Sequence, residues 1–186
     1  MTTTATSLDI TTGTWAIDAS HTRVGFAAKH AMIAKVRGQF SEFSGSLTLD
    51  GAAPENSKAL VTIDAGSIST GSDDRDAHLR SGDFLNVDEH PEITFTSTGV
   101  RHSGGDDFVM VGDLTIRGTT LPVELAVDLE GLATDPFGNE RIGFAGATTI
   151  NRKDFGLTWN AALEAGGVLV SDKITITLDV SAIKQP

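Results

Sequence analysis

The segment Leu121–Glu130, LPVELAVDLE, decides the fold class of this chain. Apolar side chains occupy every second position, at Leu121, Val123, Leu125, Val127 and Leu129. Between them stand Pro122 and the acidic residues Glu124, Asp128 and Glu130. Because successive side chains of a β-strand point to opposite faces, this alternation predicts a strand with one buried face and one face toward solvent.

The same period of two recurs along most of the chain. Further runs cover Val24–His30, Phe40–Leu49, Ala59–Ala65, Ile93–Val100, Phe108–Arg117, Ile142–Ile150, Val168–Val170 and Ile174–Val180. Turn residues separate the runs, which gives about eight or nine strands. Parallel strands need helical crossovers, and the sequence offers none, so an antiparallel barrel or sandwich is predicted. Between Phe40 and Phe43 the apolar positions change from even to odd numbers, which predicts a bulge or a change of curvature.

The residues predicted to face inward differ widely in size. They combine the bulky Phe26, Phe40, Phe95 and Phe144 with the small Ala28, Ser97, Gly112, Gly146 and Thr148. A sandwich needs consistently large residues to fill a layer about 10 Å thick. Mixed sizes are typical of a tapered barrel, which at about eight strands can hold one small ligand. The pattern therefore favours a barrel with an internal cavity over a sandwich.

One segment, Ser69–Pro91 (STGSDDRDAHLRSGDFLNVDEHP), departs from the alternation, and we call it the plug. Its charged residues surround a single short helix, which Ser72 or Asp73 can cap and Gly82 can end. Acidic residues fill the first turn, where they interact favourably with the helix dipole. The plug allows two interpretations: an active site, or a lid that closes one end of a barrel.

Composition narrows the possible functions. The chain has 186 residues, a formal net charge of −11 and no Cys. One domain accounts for this length, and the basic residues form no cluster in the sequence, which argues against nucleic acid and anionic membranes as partners. Without Cys, disulfides and thiolate metal sites are excluded. The amino terminus lacks the basic and apolar regions of a secretory signal, and no stretch approaches about 20 apolar residues, so a cytoplasmic protein is expected.

His30 is the polar candidate on the predicted strands. It is in phase with the inward-facing Phe26 and Ala28. Its imidazole is therefore either a polar contact for a ligand in the barrel or a hydrogen-bonded histidine at the barrel rim.

Arg75, Asp76 and His78 are the polar candidates of the plug. Asp76 can orient His78 for acid–base chemistry, but side chains two residues apart on a helix point away from each other. A structural role is favoured, in which Arg75 and Asp76 tie the helix to neighbouring loops through charge-assisted hydrogen bonds. The apolar residues Leu79, Phe84 and Leu85 then close the barrel.

The segment Asn151–Gly156, NRKDFG, places Arg152 and Asp154 in phase just beyond a predicted strand. Arg152 can meet a phosphate or carbonyl group of a ligand, or it can pair with Asp76 or Asp154 as a structural clamp. The cations available to a diphosphate head group are Arg75, Arg117 and Arg152. A neutral quinone or amide head group needs none of them.

No motif indicates a metal, a cofactor or a catalytic centre. The five histidines, at positions 21, 30, 78, 90 and 102, show no metal-ligand spacing. The acidic DDRD of the plug lacks the glycine and the alternating oxygens of a calcium loop. Nucleophile elbows and glycine-rich phosphate loops are also missing from the sequence. We therefore expect neither a metal nor a cofactor, and we expect a protein that is not an enzyme.

Five ordered blocks within about residues 14–182 resemble the bacterial YceI-like, polyisoprenoid-binding family. The blocks are DASHTRVGFAAKH (Asp18–His30), GQFSEFSG (Gly38–Gly45), ISTGSDDRDAHLRSGDFLNVDEHPEITFTST (Ile68–Thr98), GDLTIRGTTLPVEL (Gly112–Leu125) and INRKDFGL (Ile150–Leu157). The resemblance implies an eight-stranded, lipocalin-like antiparallel barrel with a helical element at one end, a long isoprenoid or other amphiphile inside it, and often a dimer. Many members carry a secretion signal, and this chain shows none.

The expected protein is thus an all-β, eight-stranded antiparallel lipocalin-like barrel over residues 13–186 with one short helical plug, after a flexible tail over residues 1–12. It is expected to carry or sequester a polyisoprenoid, quinone-like or similar lipid without stable membrane insertion, and it is a possible homodimer. The expected ligand contacts are Phe26, Ala28, His30, Phe40, Arg75, His78, Leu79, Phe84, Phe95, Met110, Gly112, Phe144, Arg152 and Phe155. The alternative is a small enzyme that acts on an isoprenoid-like substrate through Arg75, Asp76 and His78.

Overall fold

The computed structural model of the protein describes residues 11–186 and consists mainly of antiparallel strands. The strands are β1 (Gly13–Ile17), β2 (Arg23–His30), β3 (Ala34–Phe40), β4 (Phe43–Leu49), β5 (Lys58–Asp64), β6 (Ile68–Ser69), β7 (Glu92–Gly104), β8 (Asp107–Ile116), β9 (Thr119–Thr134), β10 (Glu140–Asn151) and β11 (Lys173–Lys184). One α-helix, α1 (Asp73–Arg80), lies in the plug. Short 3-10 helices cover Ala19–His21, Pro54–Asn56, Ala65–Ser67 and Arg152–Phe155.

These segments form an eight-stranded closed barrel because three pairs of them act as single bent strands. β1 and β2 both pair with β11, and they pair on their other side with β4 and β3 respectively. β4 pairs with β5, and β3 pairs with β6. The remaining strands follow as β5–β7–β8–β9–β10–β11, and β1 closes the ring against β11. The predicted fold class is confirmed.

The bend between β3 and β4 explains the change of apolar phase in the sequence. Ser41 and Glu42 belong to neither strand, and the hydrogen-bonded partner changes from β2 to β1 across them. Phe40 and Phe43 both line the interior, although residues three positions apart in a regular strand face opposite sides of the sheet. The bend therefore turns the side chain of Phe43 back toward the interior. The predicted irregularity between these two residues is confirmed.

The end of the barrel opposite the plug has a filled interior. Trp15 of β1 and Ile142 of β10 are almost completely buried there, with 0% and 1% of their surfaces exposed. The Trp15 indole Nε1 donates a hydrogen bond to the Thr11 carbonyl at 2.9 Å, so its polar edge is satisfied.

The predicted flexible tail lies outside the described residues except for its last two positions. The Thr11 carbonyl accepts the bond from Trp15, and Thr12 Oγ1 accepts a bond from the Gly51 N–H at 2.9 Å.

A further sequence prediction needs correction, since Val168–Val170 is not a strand. Val168 and Val170 form only isolated bridges, to Ala162 and His30. Within residues 11–186, no helix has the length and apolar character to span a membrane.

Candidate functional site

The barrel contains an elongated cavity of about 670 Å³. Its wall is built mainly from the inward-facing aliphatic and aromatic side chains of the strands. The charged and imidazole side chains of this wall lie near the plug and the end of β2; they are Asp74, Arg75, His78, Lys29, His30 and Arg152. The hydroxyl residues among its lining are Thr22, Thr70, Ser72 and Thr148. The volume lies within the range of about 300–1,000 Å³ typical of small-molecule sites. Such a site suits a ligand with a long apolar body and a polar end near the plug.

All but one of the predicted ligand contacts line this cavity. The lining members are Phe26, Ala28, His30, Phe40, Arg75, His78, Leu79, Phe84, Phe95, Met110, Phe144, Arg152 and Phe155. Gly112 is the exception, because the Phe95 ring lies directly over it. A Cβ atom on Gly112 would come within 2.6 Å of Phe95 Cε2 and 2.7 Å of the Thr96 carbonyl oxygen. Gly112 thus makes room for an aromatic ring and does not face the cavity.

Helix α1 begins where the sequence predicts, and its last residue, Arg80, lies two residues before Gly82. The Ser72 side chain accepts a bond from the Arg75 N–H and caps the N-terminus. Ser81 is the C-terminal cap, and its backbone N–H and its hydroxyl both donate to the His78 carbonyl. Since Gly82 has no positive φ, its conformational freedom is not used here.

Asp76 and Arg75 attach α1 to the barrel through one residue, Thr70. The Thr70 N–H and Oγ1–H donate to Asp76 Oδ1 at 2.8 and 2.6 Å. Arg75 Nε donates to Thr70 Oγ1 at 2.7 Å, and Arg75 Nη2 donates to the Thr70 carbonyl at 2.9 Å. Asp76 is only 5% exposed, so this carboxylate is a buried part of the attachment. The predicted structural role of Arg75 and Asp76 is confirmed.

Two further arginines fix the rest of the plug. Arg80 Nε and Nη2 donate to the carbonyls of Gly66 and Ile68 at 2.8 and 3.1 Å. Arg117, in the turn between β8 and β9, donates to the Phe84 carbonyl at 2.7 Å. These bonds link the plug to the segment that precedes it and to the turn between β8 and β9. The plug is therefore held as a lid over this end of the barrel.

His78 belongs to a different contact group from Asp76. Its Nε2 lies 2.9 Å from Asp83 Oδ2, and its ring packs edge-on against Trp159 and Phe84 with centroid distances of 4.6 and 5.0 Å. Asp76 therefore does not orient His78, and the predicted divergence of the two side chains on the helix is confirmed. Trp159 was missed in the sequence, where an isolated Trp in a loop carries no periodic signal.

Arg152 fastens the loop over residues 157–171, which runs beside the plug. Its guanidinium is 3% exposed and donates to four backbone carbonyls, those of Leu157, Trp159, Val170 and Ser171, at 2.6 to 3.3 Å. Burial lowers the pKa of Arg152, and the charge of Asp172, 3.8 Å away, opposes this shift. Neither Asp76 nor Asp154 pairs with Arg152, which corrects that alternative.

The cavity reaches the surface between the end of β2 and α1. Four of its lining residues are exposed there: Lys29, His30, Asp74 and Arg75. His30 is thus at the rim and exposed, although the strand phase directs it toward the interior. Among residues 11–186, no group of three or more His, Asp or Glu side chains is arranged to hold a metal ion.

A charge network on the barrel wall centres on Arg141. Arg141 donates through Nη1 to Asp18 and through Nε to Asp135, each at 2.8 Å, and all three side chains are largely shielded from water. Hydrogen bonds from the Arg141 guanidinium are the main reason why the pKa values of Asp18 and Asp135 lie far below their usual range. Ser20 lowers the pKa of Asp18 further, and Asn139 lowers that of Asp135. The network joins the bend after β1 to the turn between β9 and β10.

We expect Arg141→Gln to lower the melting temperature near neutral pH by a few degrees. Since both carboxyls titrate lower in the folded state than their unfolded value of about 4, their stabilisation is present above that pH and is lost as the pH falls below it. The variant should therefore show a flatter decline of the melting temperature between about pH 4 and pH 2. Arg101→Gln, which breaks an exposed pair with Glu124, is the control. Parallel acid curves for wild type and Arg141→Gln would contradict the assignment.

Comparison with known proteins gives a consistent result. Residues 15–182 match the family model described as the YceI-like domain. A protein from Pseudomonas aeruginosa named UPF0312 protein is 39% identical over 168 residues, which cover 90% of this chain and 84% of that protein.

Two solved structures share the fold. Burkholderia cenocepacia BcnA has a TM-score of 0.79 and 23% identity, over 89% of this chain and 98% of that one. A polyisoprenoid binding domain from Saccharophagus degradans, implicated in plant cell wall breakdown, has a TM-score of 0.69 and 16% identity, over 92% of this chain and 98% of that one. At these identities, the likeness concerns the fold alone.

Proposed function

Because this chain belongs to the YceI-like domain family, we propose that it binds and carries a polyisoprenoid, or a similarly long apolar amphiphile, inside its barrel. The single observation that carries this proposal is the cavity of about 670 Å³, whose wall is mainly apolar and has its charged side chains near the plug and the end of β2. A ligand with an extended apolar chain matches that distribution, since its body meets the strands and its polar end meets the opening.

The apolar wall supplies most of the binding free energy in this proposal. A chain that buries roughly 300 Å² of apolar surface gains about 7 kcal/mol at ~25 cal/mol/Å². Part of that gain offsets the lost freedom of the ligand, so moderate affinity is expected. Because the apolar effect is not directional, ligands of suitable length and width compete with one another, and selection among them is broad.

The polar end of the ligand lies beside the plug in this proposal. Arg152 is an unsuitable contact for a head group, because its N–H groups already serve loop carbonyls. His30, Arg75 and His78 line this part of the cavity instead, and Lys29 stands at its rim. They offer cationic and hydrogen-bonding groups that suit a hydroxyl, carbonyl or phosphate end.

The geometry gives less support to a small enzyme. The constellation of Arg75, Asp76 and His78 is not assembled, since Asp76 is buried against Thr70 while His78 pairs with Asp83. A nucleophilic site needs a nucleophile, a base and a group that orients the base. His78 and Asp83 can serve as the base and the orienting group, but within the described residues no Ser hydroxyl is hydrogen-bonded to His78. A carrier requires none of this chemistry.

Native mass spectrometry of protein produced in bacteria tests the carrier. We expect an added mass on the folded protein that organic extraction releases as a prenyl lipid or a related amphiphile. Protein stripped of ligand should regain such a mass when incubated with a prenyl alcohol, and a polar solute of similar mass is the control. Spectra that stay empty after incubation with prenyl alcohols of increasing length would overturn the proposal.

A further inference from the structure

The hairpin between β2 and β3 ends in exposed apolar residues beside the cavity opening. Met32 and Ile33 at its tip are 58% and 88% exposed, and Val168 of the adjacent loop is 41% exposed. Met32 lies against Gly167, so the hairpin tip and the loop form one surface. We call this surface the apolar tip, defined by Met32, Ile33 and Val168.

The backbone of the tip is held in a costly conformation that keeps these side chains outside. Ala31 and Met32 both have positive φ, at 51° and 65°, and the Ile33 N–H donates to the His30 carbonyl at 3.2 Å. Such turns normally use Gly or Asn, because a side chain disfavours the left-handed region. The Ala31 N–H donates to the Leu169 carbonyl at 2.7 Å, which helps to fix the turn.

Three cations stand directly behind the apolar tip on the outer face of the hairpin. Lys29 and Lys35 are cross-strand partners, and Arg37 follows two residues later on the same face. All three are exposed. Like charges directly opposite each other destabilise a sheet, and within residues 11–186 none of the three is in an ion pair. In a chain with a net charge of −11, this group is a local exception.

The acidic residues on neighbouring segments leave this positive surface uncompensated. Asp172 lies 3.3 Å from Lys153 Nζ and so has its own cation. Glu164 and Asp74 are exposed on the adjacent loop and on α1, and neither forms an ion pair among the described residues. The cations are therefore free to meet an anionic surface from outside the chain.

We propose that the apolar tip and the cations Lys29, Lys35 and Arg37 dock the barrel on an anionic lipid bilayer, with the cavity opening toward the membrane. Apolar side chains at the tip of a basic element suit the boundary between head groups and acyl chains. The cations match the negative surface of anionic lipids. Because the same rim contains Lys29 and His30 of the cavity wall, a bound lipid can pass between bilayer and barrel over a short path. This last point rests on the proposed function, whereas the docking does not.

Sedimentation of the full chain with vesicles tests the docking. The protein should pellet with vesicles of phosphatidylcholine that contain one quarter phosphatidylglycerol, should remain in solution with pure phosphatidylcholine, and should dissociate at high salt. Removing one cation should weaken binding about fivefold, so Lys35→Glu with Arg37→Glu should weaken it at least about 25-fold. Ile33→Asp should weaken it at least about tenfold.

Matched controls come from the opposite end of the barrel and from another strand. Phe137→Asp changes a residue that is 89% exposed in the turn between β9 and β10, and Lys58→Glu changes an exposed cation of β5. Both should bind vesicles like the wild type. Equal binding to neutral and anionic vesicles, absence of binding, or equal losses in the controls would overturn the proposal. So would an unaffected Ile33→Asp, since charge alone would then suffice and would indicate an acidic protein partner.

Ligand loading is measured separately so that the two proposals can fail independently. Uptake of the neutral fluorophore N-phenyl-1-naphthylamine without vesicles should be the same for Ile33→Asp, for Lys35→Glu with Arg37→Glu, and for the wild type. If the wild type takes up neither this fluorophore nor prenyl alcohols, the proposed function fails while vesicle binding still tests the docking. Reduced uptake in the tip variants would instead assign these residues to the barrel interior and overturn the docking.

Discussion

Arg152→Met is expected to lower the free energy of unfolding by about 3–5 kcal/mol, since the change removes a buried charge and leaves its partners unpaired. The four carbonyls that accept from Arg152 lie in the loop over residues 157–171, outside the strands. Methionine can replace the apolar stem of the arginine, but it has no donor for any of these oxygens. The loss should be measured by urea unfolding at neutral pH.

The same variant should also loosen the plug, because the loop positions Trp159 against it. Trp159 packs against His78 and Phe84 with centroid distances of 4.6 and 5.4 Å. Tryptophan fluorescence of folded Arg152→Met should therefore shift to longer wavelength as Trp159 becomes hydrated. Trp15, the other tryptophan, is fully buried at the opposite end and should keep its emission.

Two further variants separate the loss of the Arg152 hydrogen bonds from the loss of its charge. Arg152→Lys keeps the charge, yet an ammonium group cannot reproduce the planar fork, so we expect it to lose most of the same stability. Lys153→Met removes a half-exposed neighbour that pairs with Asp172, and it should cost less than about 1 kcal/mol. A loss below about 1 kcal/mol for Arg152→Met itself would show that water or other groups serve these carbonyls equally well.

Local patterns were sufficient to predict the barrel and the helix of the plug. Alternation fixes which face of a strand is buried, and the phase change between Phe40 and Phe43 marks the bend between β3 and β4. Ser72 followed by acidic residues marks the start of α1. These features depend on neighbours within a few residues, and a sequence displays such neighbours directly.

The contacts of the loop over residues 157–171 could not be predicted in the same way. Arg152 reaches carbonyls up to 19 residues away, and no side-chain pattern reports where backbone carbonyls lie. His78 pairs with Asp83 because the chain turns back at Ser81, whereas helical spacing predicted only that His78 points away from Asp76. Gly112 read as a small inward residue, although the Phe95 ring of the neighbouring strand covers it.

The sequence contained a signal for the cations of the β2–β3 hairpin, but their positions along the chain did not reveal it. The count of charges along the chain showed no cluster, yet the hairpin register places Lys29 opposite Lys35 and both beside Arg37. Pairing residues across each predicted hairpin, instead of counting along the chain, brings such groups together. The net charge of −11 is therefore a property of the whole chain and does not describe the surface around Lys29, Lys35 and Arg37.

Gly146→Trp is expected to abolish uptake of N-phenyl-1-naphthylamine and of prenyl alcohols, with at least a tenfold loss of affinity. Gly146 of β10 lines the cavity, and a Cβ atom there would make ordinary contacts with Leu178 at 3.5 Å. Its φ is not positive, so the backbone accepts a side chain without strain. The indole therefore extends into the cavity and occupies the space that a ligand needs.

The matched control is Gly143→Trp on the same strand. Gly143 does not line the cavity, and a Cβ atom there would lie 3.6 Å from Glu130 Cβ, so the indole extends over the outer surface. This variant should bind like the wild type. Filling an apolar cavity adds contacts and buried apolar area, so Gly146→Trp should melt at or above the wild-type temperature. Loss of binding together with a retained melting temperature assigns the ligand to the interior, whereas normal binding by a folded Gly146→Trp would place the ligand elsewhere on the barrel.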